Sequence, residues 1–135
     1  MLTLIATALA AHLAAFPGQP AEGDAVLRVE GRCLYSPEVE RQAEGAVLIG
    51  CGEVTLAETS VAFARRGFAE AARFEGAWDG DQFTITQVVM RGIEGARPAR
   101  GSCHVLLRDE RVVRLQCTAV SGPRGYIANF VVPLL

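Results

Sequence analysis

Few side chains in this 135-residue chain are able to do chemistry, and their positions exclude more than they suggest. Ser102-Cys103-His104 sets a nucleophile beside a base. The segment reads as β-strand, where neighbouring side chains point to opposite faces, so Cys103 and His104 are kept apart. His104 is then expected on the surface, facing Gln116. The other histidine, His12, lies in an apolar N-terminal segment whose removal would leave one. One is too few for a two-histidine metal site and for most zinc catalysis. All 13 basic residues are arginine, which excludes Schiff-base and lysine-base mechanisms. Asp79-Gly80-Asp81 offers carboxylates to Ca²⁺ but lacks the further oxygen ligands of a calcium loop, and reads as a hairpin turn. Glu38, Glu40 and Glu44 share one short turn, with nothing nearby in sequence to desolvate a carboxyl and make it a general acid. Arg65-Arg66 and Arg97/Arg100 suit an anionic polysaccharide or a lipid headgroup, although solvated loop arginines are the ordinary reading. No catalytic residue, metal ligand or cofactor site is expected.

The remaining reactive groups are Cys33, Cys51, Cys103 and Cys117, each on a strand-like stretch downstream of MLTLIATALAAHLAA. An even cysteine count behind an export signal implies oxidised pairs, and oxidised pairs imply a compartment outside the cytosol. Met1 to Ala15 carries no charged side chain. A helix of that length spans roughly 22 Å, short of a hydrocarbon core of about 30 Å. Small residues suited to a signal peptidase follow at Ala8-Leu9-Ala10 and Ala14-Ala15. Residues 1–15 are therefore expected to be a cleavable signal peptide, with a boundary reaching to about residue 21. Residues 16–23 are expected to be a flexible linker and 24–135 a single β domain. The one positive group in the n-region is the terminal amine, and a buried N-terminal helix of a cytosolic domain is the alternative. The reading is a periplasmic or secreted protein with no integral membrane span. Its formal charge is −2, with arginines and acids interspersed, which argues against nucleic acid and other polyanions as partners.

From Asp24 onward the hydrophobic period is two, the strand signature. In DAVLRVEGRCLY, Leu27, Val29, Cys33 and Tyr35 share one face and Arg28, Glu30 and Arg32 the other. Ser36-Pro37 starts a helical turn near 37–44, capped by Ser36 and ending near Gly45. AVLIGCGEVTLAE follows as a strand with a bulge across Gly50-Cys51-Gly52. Over 60–72 a strand at Val61–Arg65, a loop, and a strand entering Arg73 are expected. Asp79-Gly80 predicts a type I′ hairpin turn that sets Gly76 opposite Phe83 and Phe74 opposite Ile85. Phe74, Trp78, Phe83 and Ile85 then point inward. A second hairpin, with a three-residue loop Asp109–Arg111, pairs Leu107 with Val113, Val105 with Leu115, and Cys103 with Cys117. The last strand places Tyr126, Ala128 and Phe130 on one face. The whole reads as an all-β fold: a small antiparallel eight-stranded barrel or a two-sheet sandwich. Register predicts a Cys103–Cys117 disulfide. The apolar faces of two consecutive strands joined by a compact turn predict Cys33–Cys51.

One segment resembles a known family. Ser121-Gly122-Pro123-Arg124-Gly125-Tyr126 is similar to the Ser-Gly-x-x-Tyr segment of the periplasmic inhibitors of animal-type lysozyme, which are small exported β-barrels. The tyrosine comes one residue later here, and the likeness covers six of 135 residues. It implies Ser121, Arg124 and Tyr126 as a binding loop, where a plain turn before the last strand also suffices. The reading reached from the residues is a non-enzymatic, exported β domain that binds by its surface in the cell envelope, to a protein or a polysaccharide. The alternatives are a lysozyme inhibitor and a hydrolase using carboxylates alone.

Overall fold

In the computed structural model, residues 26–93 and 95–133 are described. The expected signal segment and linker lie outside them. Ten strands form one sheet: β1 (Val26–Glu30), β2 (Arg32–Cys33), β3 (Val47–Leu48), β4 (Glu53–Ala57), β5 (Ser60–Ala64), β6 (Glu70–Asp79), β7 (Gln82–Met90), β8 (Arg97–Arg108), β9 (Arg111–Ser121) and β10 (Arg124–Val131). Around the sheet the order is β1-β4-β5-β6-β7-β8-β9-β10-β2, with β3 also on β10. The first and last members of that order are two halves of a single stretch of chain. It pairs with β4 before Gly31 and with β10 after it. Counted as one, β1 and β2 make this an eight-stranded, nearly closed antiparallel barrel, not a two-sheet sandwich.

The change of partner needs Gly31. A Cβ there would lie 2.5 Å from the Val131 carbonyl oxygen and 2.6 Å from the Phe130 ring. The rest of the β10 edge is covered by β3, which runs parallel to it through Tyr126↔Val47 and Ile127↔Leu48. The expected single strand over 46–58 is therefore divided. Val47–Leu48 belongs to β10, Glu53–Ala57 belongs to β1 and β5, and residues 49–52 cross between them. Helix α1 (Pro37–Gln42) occupies the excursion between β2 and β3, with the Ser36 hydroxyl accepting from the Val39 amide at 3.1 Å. Gly45, at φ +88°, ends the turn in a conformation glycine adopts freely.

Both long hairpins turn differently from expectation. Asp79 pairs with Gln82, so the two loop residues are Gly80-Asp81, one step later than the expected pair. Gly80 has φ +66° and Asp81 is not among the positive-φ residues, the pattern of glycine leading a type II′ turn. Trp78 then faces Phe83 and Gly76 faces Ile85, instead of Gly76 facing Phe83. The inward set survives because the slip moves both strands together: Phe74, Trp78, Phe83 and Ile85 are all buried. A bulge between Glu75 and Gly76 shifts the register again, so that Phe74 opposes Val88.

In the second hairpin the loop is Asp109-Glu110, both left-handed at φ 52° and 65°, as a type I′ turn requires. Leu107 pairs with Val112, not Val113. A register shift between Leu106 and Leu107 then inserts one residue on β9. A two-residue turn plus a one-residue bulge displaces the strands as a three-residue loop would. Beyond the bulge Val105 meets Leu115 and Cys103 meets Cys117.

Alternation fills the bore. Phe63, Phe74, Phe83, Phe130, Leu56 and Leu115 are fully buried, and no polar or charged side chain is buried among the described residues. Phe63 and Phe74 meet edge to face at 5.8 Å between centroids. The Trp78 indole N–H donates to the Ala57 carbonyl at 2.9 Å, so its burial leaves no donor unpaired. Two disulfides span the sheet. Cys103–Cys117 lies in the core, and Cys33–Cys51 ties the strand of the seam to the segment crossing beside it.

Candidate binding surface

A filled bore leaves the outer face for recognition. There the register brings one polar row across four strands, Arg28–Thr55–Ala62–Arg73, and beside it a second, Glu30–Glu53–Ala64–Glu70. In the middle, β5 contributes the short side chains Ser60, Ala62 and Ala64 outward, beside Thr55 and Glu53 of β4. The flanking strands β1 and β6 contribute long ones. The result is an open groove of about 650 Å³, with Ser60, Ala62 and Ala64 along its floor and Arg28, Arg73 and Glu75 on its walls. The β5–β6 loop, turned at Gly67 with φ +81°, brings Phe68 to it. That ring is 69% exposed, more than any other large apolar side chain among the described residues.

Arg73 is fixed within the groove. Its Nε donates to Glu75 at 3.1 Å and one terminal nitrogen pairs closely with Glu70. Arg28 and Glu53 make no side-chain hydrogen bond or ion pair among the described residues, and neither do the hydroxyls of Thr55 and Ser60. Donors and acceptors thus stand open to a ligand beside a pre-ordered charge cluster. Glu70 and Glu75 are about a third exposed and share the Arg73 guanidinium. The arrangement suits binding.

A smaller groove of about 420 Å³ lies between α1 and the outer face of β8–β10, lined by Tyr35, Val39, His104, Gln116 and Asn129. Several of its polar groups, those of Tyr35, Gln116 and Asn129, already serve the fold. Gln116 donates to Asn129 at 3.3 Å, and Asn129 donates to the Leu34 carbonyl at 2.9 Å. The Tyr35 hydroxyl lies 2.5 Å from the Ile49 carbonyl and 3.0 Å from that of Ile127, and accepts from the Asn129 amide at 3.3 Å. Burial, the largest influence, pushes this phenol above its ordinary value, while its backbone hydrogen bonds pull the other way.

The residues singled out from sequence are scattered. Cys103 is inside and bonded to Cys117, and His104 is exposed opposite Gln116. Asp79 precedes a hairpin turn and Asp81 lies in it, and no group of three or more potential metal ligands occurs among the described residues. Glu38, Glu40 and Glu44 are solvated, as are Arg65, Arg97 and Arg100, while Arg66 meets Glu30 at 3.7 Å. Ser121 and Arg124 pair across the last hairpin, with the Ser121 hydroxyl spent on the Pro98 carbonyl at 2.7 Å. Tyr126 points into the core at 3% exposure, so these three do not form one outward surface. Sequence alternation placed Arg28 and Arg73 on the outer face, but not side by side with Phe68, because strand adjacency is not written in either strand alone. No protein-family model, curated protein or solved structure matches this chain.

Proposed function

We propose that this chain is an exported, disulfide-stapled β domain that works without catalysis, by binding through its outer surface in the cell envelope. The observation that carries this reading is the solid bore. An eight-stranded barrel holds either packed side chains or one small ligand, and here it is packed with side chains, which leaves the outside for recognition. Disulfides of this kind are typical of oxidising compartments outside the cytosol, which supports export.

Two measurements test the reading. A fusion of residues 1–23 to a reporter active only outside the cytosol is expected to be active, and activity confined to the cytosol would refute export. Purified protein is expected to co-sediment with washed envelope fragments, saturably and without chemical turnover of them. Protein that stays in the supernatant at every envelope concentration refutes surface binding.

A further inference from the structure

We infer that the groove over β1, β4, β5 and β6 is a glycan-binding site whose occupant is an uncharged polysaccharide segment, with Phe68 as the surface on which a sugar ring lies. The inference rests on the surface-binding reading above and gives that surface a place and a ligand class. Three features of the groove select the ligand. Its floor of short side chains between longer walls makes a trough along β5, whose five residues run about 16 Å. A linear chain of rings fits that shape. Its polar groups include hydroxyls, carboxylates and guanidinium, matching the mixed donors and acceptors of sugar hydroxyls. Its charges nearly balance, since Glu53, Glu70 and Glu75 face Arg28 and Arg73. A polyanion would meet the carboxylates and a polycation the arginines.

A protein partner fits less well. Stable protein interfaces bury a broad patch with an apolar centre, whereas this groove is lined mainly by charged and hydroxyl side chains over a narrow floor of small residues, and only one large apolar side chain reaches it. The other exposed large apolar residues, Leu34, Leu106 and Val120, do not line the groove. Phe68 costs the core nothing at its present exposure, so it is the residue whose loss reads binding and not folding. A buried aromatic–ligand contact together with a few placed polar groups is the usual composition of a small-ligand site.

The test uses the full disulfide-bonded protein and soluble oligomers of β-1,4-linked glucose and of β-1,4-linked N-acetylglucosamine, with polygalacturonate as the anionic contrast. Affinity electrophoresis or calorimetry is expected to show binding to at least one neutral oligomer and none to polygalacturonate. Phe68→Ala and Arg28→Ala are each expected to weaken that binding about ten-fold or more, while Val120→Ala leaves it unchanged. Neutral oligomers that fail to bind, or that bind both groove variants like wild type, overturn the inference. If the oligomers fail while envelope co-sedimentation persists and is lost in Phe68→Ala, the groove has a different occupant. The glycan assignment then falls and the surface-binding reading stands. If co-sedimentation also fails in wild type, both fall.

Discussion

One phenol stands where the sheet meets itself. β2 covers one end of the β10 edge and β3 the other, and between them the Tyr35 hydroxyl serves the Ile49 and Ile127 carbonyls and the Asn129 amide. A phenol has a single proton, so the two carbonyls share it, and the amide takes a lone pair. Tyr35→Phe keeps the ring but removes the partner of the Ile49 carbonyl and the Asn129 amide, while the Ile127 carbonyl keeps the Ile49 amide at 2.8 Å. The expected loss is about 1–3 kcal/mol, measured by urea unfolding. The same residue sets a pH limit. Its folded pKa is raised above the ordinary value of a phenol, chiefly by burial, so the neutral phenol is the form the fold favours. That contribution is complete below the unfolded pKa and is lost as pH rises through the folded one. Stability should therefore fall above about pH 10, and the fall should be shallower in Tyr35→Phe. Equal slopes in the two proteins would remove Tyr35 as the cause.

At the scale of strands, glycines mark where two backbones come too close for a side chain. A Cβ on Gly76 would lie 1.8 Å from the Thr84 carbonyl oxygen, beside the bulge in β6–β7, and one on Gly101 would lie 2.0 Å from that of Thr118. A Cβ on Gly125 would meet nothing nearer than the Ala46 methyl at 3.7 Å, an ordinary contact. Gly76→Ala should cost about 3 kcal/mol or more, since rigid backbone must move. Gly125→Ala should stay within about 0.5 kcal/mol of wild type. Comparable unfolding midpoints for the two would contradict the bulge geometry. Neither bulge is legible in the chain. Period-two patterning gave the eight strands and their inward faces, because a face is decided by each strand alone. Turn position is decided by backbone twist: Gly80 led its turn instead of closing it, and Asp109-Glu110 adopt left-handed φ without a glycine to announce it. Register beyond the second turn was still recovered, because one loop residue too many equals one bulge. The candidate groove was the least legible part. It assembles side chains from β1, β4, β5 and β6 with a loop aromatic, and only the closed strand order makes them neighbours.

For the molecule as a whole, the two disulfides carry different burdens. Cys103–Cys117 is enclosed, at 0% and 1% exposure, inside a hairpin that register already defines. Cys33 and Cys51 are only half-buried and tie together two stretches of the seam that also meet through backbone hydrogen bonds, Gly31 to Gly52 at 3.1 Å and Cys33 to Cys51 at 3.0 Å. Their sequence separations of 18 and 14 predict about 3 kcal/mol of stabilisation each from constraint of the unfolded chain. Against a typical total of about 5–15 kcal/mol, removing both should leave a barely folded protein. Under mild reductant in native buffer, alkylation followed by peptide mass measurement should find Cys33 and Cys51 modified first. Earlier modification of Cys103 and Cys117 would mean that opening of the β8–β9 hairpin, not exposure, governs access.

The strand bent at Gly31 also fixes when folding can finish. Cys33 takes its partner from Phe130, and Val47 takes its from Tyr126, so the barrel is held shut by contacts between strands far apart in sequence. Such remote pairings demand that nearly the whole polypeptide search together, which places small all-β domains among the slow folders, at milliseconds to seconds. While β10 is still being synthesised, or is still on the far side of any pore the chain is threaded through, β2 has nothing to pair with. Until β10 is in place, the barrel has no means of closing.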